Sequence, residues 1–173
     1  MPYNAIERQP YEEMGEKNEI IFKPFIEEVI GKTNKTTQRY AVIDFYSTDR
    51  KTYAELKSRD CYYKSFPTTM LGVNKIKNGF QKINNGKLVY YFFAFKDGLY
   101  YWQLTPENYE ADGGENMVHL GGTVKTGNFL KDHYYIPIES LHKVCDVPCY
   151  VADEVRRNNY IQPQGGVCLL RMP

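Results

Sequence analysis

Residues 88–95 read Leu-Val-Tyr-Tyr-Phe-Phe-Ala-Phe, and an extended chain of that composition is apolar on both of its faces. Such a strand must be covered from both sides, so it belongs at the centre of a sheet with layers above and below it. After Lys96-Asp97-Gly98 the chain returns through Leu-Tyr-Tyr-Trp-Gln-Leu over residues 99–104. Asp-Gly between aromatic and β-branched runs is a strong hairpin signal. The aromatic cluster is expected to pack a core rather than to offer a platform for stacking bases.

A second hairpin is expected over residues 40–59. Residues 40–46 alternate, with Ala41, Ile43 and Phe45 on one face and Tyr40, Val42, Asp44 and Tyr46 on the other. Residues 47–51 are polar and turn-like. Residues 53–59 alternate again: Ala54 and Leu56 continue the apolar face, while Tyr53, Glu55, Lys57 and Arg59 continue the polar one. A turn centred between Asp49 and Arg50 sets Asp44 across from Glu55, with Cβ atoms roughly 5 Å apart.

Like charges facing each other across a strand pair are destabilising unless a cation sits between them. A hard divalent ion such as Mg²⁺ takes one or two carboxylates plus water and substrate phosphate, which suits Asp44 and Glu55. Lys57 shares the face of Glu55 and is placed to orient an attacking water or to stabilise developing charge. An ordinary amphipathic hairpin with a solvated face of mixed charge accounts for the spacing equally well.

The residues also carry a family resemblance. The chain resembles the PD-(D/E)XK nuclease superfamily, in the style of its small stand-alone phage and large-DNA-virus members. Asp44 matches the first acidic position and Glu55-Leu56-Lys57 the (D/E)XK tripeptide, with Ile43 where the motif's name has proline. The resemblance implies an α+β (α/β) fold: a restriction-endonuclease-like core with a mixed β-sheet flanked by helices. It implies a metal-dependent nuclease acting on DNA, with RNA not excluded as substrate. Asp44, Glu55 and the backbone carbonyl of Leu56 would be ligands for Mg²⁺ or Mn²⁺, and Lys57 would lie near the nucleophilic water.

The flanking segments fit that core. In residues 18–31 the apolar positions Ile21, Phe22, Phe25, Ile26, Val29 and Ile30 form a helical stripe that ends at Gly31, suited to a C-cap. Pro24 implies that the regular helix starts near residues 20–23 or kinks there. Many superfamily members carry a glutamate on this helix that reaches the metal. Glu19 resembles it best, Glu16 is the alternative, and both are equally acids favoured near a helix N-terminus. Met70, Val73, Ile76, Phe80 and Ile83 sit at helical spacing, yet Gly72 and Gly79 weaken a single helix. The other reading is a short extended piece through Leu71 followed by a helix capped by Asn74. Residues 68–75 resemble a segment that follows the tripeptide in some members, where a lysine approaches the substrate. Lys75 is the secondary candidate on that ground.

Composition sets the remaining bounds. The 173 residues suffice for a single nuclease-like domain, with a core over about residues 12–105 and C-terminal decoration over 106–173. Aromatic content of 15% argues against disorder. With no run of 18 apolar residues and no signal-type N-terminus, the expectation is a soluble intracellular protein with no membrane partner, cytoplasmic, nuclear or virion-borne. Net charge is +1, but residues 32–96 hold 13 Lys and Arg against 4 Asp and Glu. That basic third contains the carboxylate hairpin and suits a phosphate backbone. Cys61, Cys145, Cys149 and Cys168, with His142 nearby, lack paired zinc spacing and read as free thiols. A homodimer is one natural way to cut two strands. Against the enzyme stands a non-catalytic nucleic-acid-binding or virion/assembly module that retains the nuclease-like fold.

Overall fold

A computed structural model describes residues 5–38, 41–121 and 131–151, and in it the aromatic run lies between two other strands of a six-stranded sheet. In chain order the elements are α1 (Ala5–Ile30), β1 (Thr33–Lys35), β2 (Phe45–Ser47), β3 (Thr52–Ser58), β4 (Thr68–Gly72), α2 (Val73–Asn84), β5 (Leu88–Phe95), β6 (Gly98–Leu104), α3 (Pro106–Ala111), β7 (Val118–Gly121), β8 (Lys131–Pro137) and β9 (His142–Cys145). The main sheet runs β1-β2-β3-β5-β6-β9 and is antiparallel except at β3/β5, a parallel pair with β4 and α2 between its strands in the chain. A second, antiparallel sheet runs β4-β8-β7. The architecture is α+β, a mixed sheet flanked by helices, as the resemblance implied.

The two faces of β5 are both dry. Val89, Tyr91, Phe93 and Phe95 pack with Trp102, Leu104, Ile76 of α2, and Leu71, Tyr134 and Ile136 of the second sheet. Phe92 and Ala94 pack with Phe45, Ala54 and Leu56 beneath Met14, Phe22 and Ile26 of α1. Each large side chain buried in this way contributes roughly 1.5–3 kcal/mol. β5 is therefore covered by α1 on one side and by α2 with the second sheet on the other.

The first helix is longer than the stripe predicts. α1 runs for 26 residues through both Pro10 and Pro24, so it does not begin at residues 20–23. Its buried row is Pro10, Met14, Asn18, Phe22 and Ile26, one side chain every four residues. Pro24 is exposed, and the carbonyl it leaves without a donor belongs to Ile20, which is 75% exposed. Water can satisfy that carbonyl, so the proline costs little on this face. Gly31 closes the helix at φ 81, its N–H bonded to Glu27 O at 3.0 Å.

Between residues 68 and 84 the strand-then-helix reading holds, but the cap does not. α2 starts after Gly72, with no side-chain cap, and Asn74 lies inside the first turn. The strand exists because Thr69 and Leu71 pair with Ile136 and Tyr134 of β8, more than sixty residues away. Gly79 is the point where α2 lies directly on the sheet: a Cβ there would collide with the side chains of Tyr91 and Leu104.

Residues beyond 105 enter both sheets, through β8 in the second and β9 at the edge of the main one. The chain after β9 is fixed by fully buried Asn18. Its amide donates to Tyr150 O and to Ser58 Oγ, each at 2.9 Å, and accepts from Tyr150 N–H at 2.6 Å.

Candidate active site

Ser47 builds the turn that sets the site. Its hydroxyl donates to Asp49 Oδ1 at 2.6 Å and accepts the N–H groups of Thr52 and Lys51 at 2.9 and 3.2 Å. Arg50 takes the left-handed conformation at φ 56 that closes the loop. The register pairs Phe45 with Ala54 and Tyr46 with Tyr53. One step further, Asp44 donates its N–H to Ala54 O at 3.1 Å and receives Thr36 N–H on its carbonyl at 2.8 Å. The regular strand is shorter than the alternation predicts, starting at Phe45, and Tyr40 lies outside the described residues.

Asp44 and Glu55 come together on the face of β3 opposite α1. Asp44 Oδ2 accepts the backbone N–H of Leu56 at 2.8 Å. Glu55 is 0% exposed. Its Oε1 lies 2.5 Å from Lys57 Nζ and 2.7 Å from Lys75 Nζ, while Oε2 is buried with no hydrogen-bond partner. An anionic oxygen left in that state is costly, and a further cation would relieve it.

Electrostatics point the same way. Burial first, and then the charge of Glu55, push the Asp44 carboxyl up to about 6; Lys57 and the Leu56 N–H pull against them. Burial and then Glu55 also raise the Tyr91 hydroxyl, which lies across the parallel ladder from Glu55. Burial and mutual repulsion thus outweigh the pull of Lys57 and the Leu56 N–H on Asp44.

Glu19 is the more peripheral acid. It is paired with Lys35, and its charge reaches Asp44 as a small upward push. Glu16 is exposed. Among the described residues no three His, Cys, Asp or Glu side chains converge as a metal cluster. The donor set present is thus two carboxylates, one oxygen of which is orphaned, and backbone groups beside them. That set fits a hard cation which completes its shell with water, and it does not suit a cage made wholly of protein ligands. No disulfide joins Cys61, Cys145 and Cys149 among the described residues, and Cys168 lies outside them.

Lys75 is closer to the two carboxylates than its weak sequence signal suggests. Its ammonium reaches both Glu55 Oε1 and the Val42 carbonyl, the latter at 2.8 Å. Tyr91 was not legible as part of this surrounding: it reads as one more aromatic in a core strand, and only the β3/β5 register places it beside Glu55.

A mixed sheet with α1 on one face, α2 on the other and a parallel β3/β5 pair is the restriction-endonuclease-like arrangement, with Asp44 just ahead of β2 and Glu55-Leu56-Lys57 on the adjacent β3. Residues 6–144 match the sequence family described as phage putative PDDEXK endonuclease, and the chain belongs to that family. No curated protein and no solved structure matches it.

Proposed function

We propose that this protein is a divalent-metal-dependent nuclease that hydrolyses phosphodiester bonds in DNA. The observation that carries the reading is the pair of adjoining, desolvated carboxylates of Asp44 and Glu55, with Glu55 Oε2 unpartnered and Asp44 held near 6. Asp44, Glu55 and the backbone carbonyl of Leu56 would hold Mg²⁺ or Mn²⁺. Bound there, the ion would lower the pKa of water and neutralise charge on the phosphate.

The chain's own groups do the rest. Lys57 is anchored on Glu55 Oε1 and is 32% exposed, so it keeps donors for the incoming water and the phosphate oxygens. Water oxygen bonds to phosphorus as the bond from phosphorus to the leaving oxygen breaks. The leaving oxygen takes a proton and departs as a hydroxyl end, and the other end keeps the phosphate. Burial of Glu55 excludes bulk water, which strengthens each of these charge contacts.

The test is cleavage of supercoiled, linear and single-stranded DNA, and of RNA, with Mg²⁺ or Mn²⁺. Glu55→Ala and Lys57→Ala are each expected to reduce cleavage by at least about a hundredfold while DNA binding survives. Equal cleavage by the wild type and both variants would remove the site assignment. Intact binding with no cleavage of any nucleic acid under either metal would leave a non-catalytic binding module in its place.

A further inference from the structure

Lys75 lies in the first turn of α2, and its ammonium spans two segments. It is 2.7 Å from Glu55 Oε1 on β3 and 2.8 Å from the carbonyl oxygen of Val42, two residues before Asp44. One positive group thus ties the strand that carries Glu55 to the segment that carries Asp44. Its own backbone is fixed as well, since Tyr91 donates its hydroxyl to the Lys75 carbonyl at 2.7 Å. The side chain is 16% exposed against 32% for Lys57, which pairs with Glu55 and acts on Asp44 through charge. The two lysines share an oxygen but not a situation. Lys57 faces outward, whereas two of the three Lys75 donors are spent inward.

We propose that Lys75 is a built-in counter-ion: with no divalent ion bound it neutralises Glu55 and fixes the spacing of the two carboxylate-bearing segments, and so sets how tightly the site takes a metal. The proposal rests on the nuclease reading for its metal arm, but its stability arm stands without it. Lys75 is a positioning residue that acts through Glu55. An ammonium and a divalent ion on one carboxylate oppose each other by charge, so removing the first must favour the second, by reciprocal linkage.

The experiment compares wild type, Lys75→Met and Lys75→Gln by thermal melting in EDTA and by calorimetric titration with Mn²⁺ alone. Both variants are expected to melt several degrees lower in EDTA. Both should also bind Mn²⁺ more tightly, by roughly tenfold, a coupling of ordinary size. Added Mn²⁺ should then raise their melting temperatures more than it raises that of the wild type. At saturating Mn²⁺, cleavage should fall far less in Lys75→Met than in Lys57→Met. A variant that folds only when Mn²⁺ is present would support the counter-ion role directly. Unchanged or weaker Mn²⁺ binding in both variants would overturn it, as would failure of both to fold at saturating Mn²⁺. Cleavage lost as completely as in Lys57→Met, with Mn²⁺ affinity unchanged, would make Lys75 a catalytic group instead. The nuclease reading fails separately, if Mn²⁺ binding to the wild type is insensitive to Asp44→Asn and Glu55→Gln; the EDTA melts still judge Lys75 in that case.

Discussion

Asp44 holds its proton up to about pH 6, against an ordinary value of 3.8, because burial and the Glu55 charge both penalise the anion. The folded protein therefore binds this proton more tightly than the unfolded chain does. The contribution to stability is fully present below about pH 4 and is lost as pH rises through about 6. Its size is on the order of 2 kcal/mol after allowance for partial exposure. Asp44→Asn, whose side-chain oxygen can still accept the Leu56 N–H, should raise Tm by roughly 5 °C at pH 7–8 in EDTA and by nothing at pH 4. Mg²⁺ should erase the difference by stabilising the wild-type anion. An Asp44→Asn gain that is the same at every pH would sink the argument. The Asp44–Glu55 juxtaposition was legible because five turn residues fix a two-strand register. Burial of Glu55 was not: alternation marks a polar face, and what covers that face comes from elsewhere in the chain.

Two elements carry residues whose spacing was readable and whose purpose was not. Gly79 reads as a weakness in a helix, but it is the contact point of α2 with Tyr91 and Leu104. Gly79→Ala should therefore destabilise the protein by roughly 1–3 kcal/mol through overpacking, although helix propensity alone favours alanine by about 1 kcal/mol. Denaturant melts decide it, and an unchanged or higher midpoint would mean that α2 is not seated as described. Asn18 is a comparable case on α1. In the sequence it only opens the striped segment, yet it sits mid-helix and holds the chain at Tyr150 through both backbone groups. Asn18→Ala leaves those groups without partners and should cost about 2–3 kcal/mol. Amide exchange at Tyr150 should quicken more than exchange in β5. Uniform loss of protection would point to global loosening instead. Pro24 of α1 misled in the opposite direction: a sequence shows that a hydrogen bond is lost, but not that the loss faces water.

At the scale of the molecule, the central hairpin and the flanking helices were readable because their signals are local. The second sheet was not, because β4 finds β8 across more than sixty residues and neither strand announces its partner. Charge behaves similarly. Residues 32–96 carry an excess of nine positive charges, but the fold spends much of it internally. Lys32 and Lys35 pair with Glu27 and Glu19 of the acidic first helix, Lys57 and Lys75 with Glu55, and Lys96 with Asp60. Were all 13 Lys and Arg of residues 32–96 to meet phosphates, the affinity for duplex DNA would fall with salt at a log–log slope of about −12. With five of them already facing carboxylates, eight remain, and a slope no steeper than about −7 is expected. Fluorescence anisotropy with the wild-type protein in EDTA, which keeps all five ion pairs and withholds the metal, measures this without cleavage. A slope near zero would rule out the phosphate backbone as the ligand. A slope near −12 would mean that the paired lysines leave their carboxylates for DNA, and the ion pairs of the free protein would then be a resting arrangement that substrate replaces.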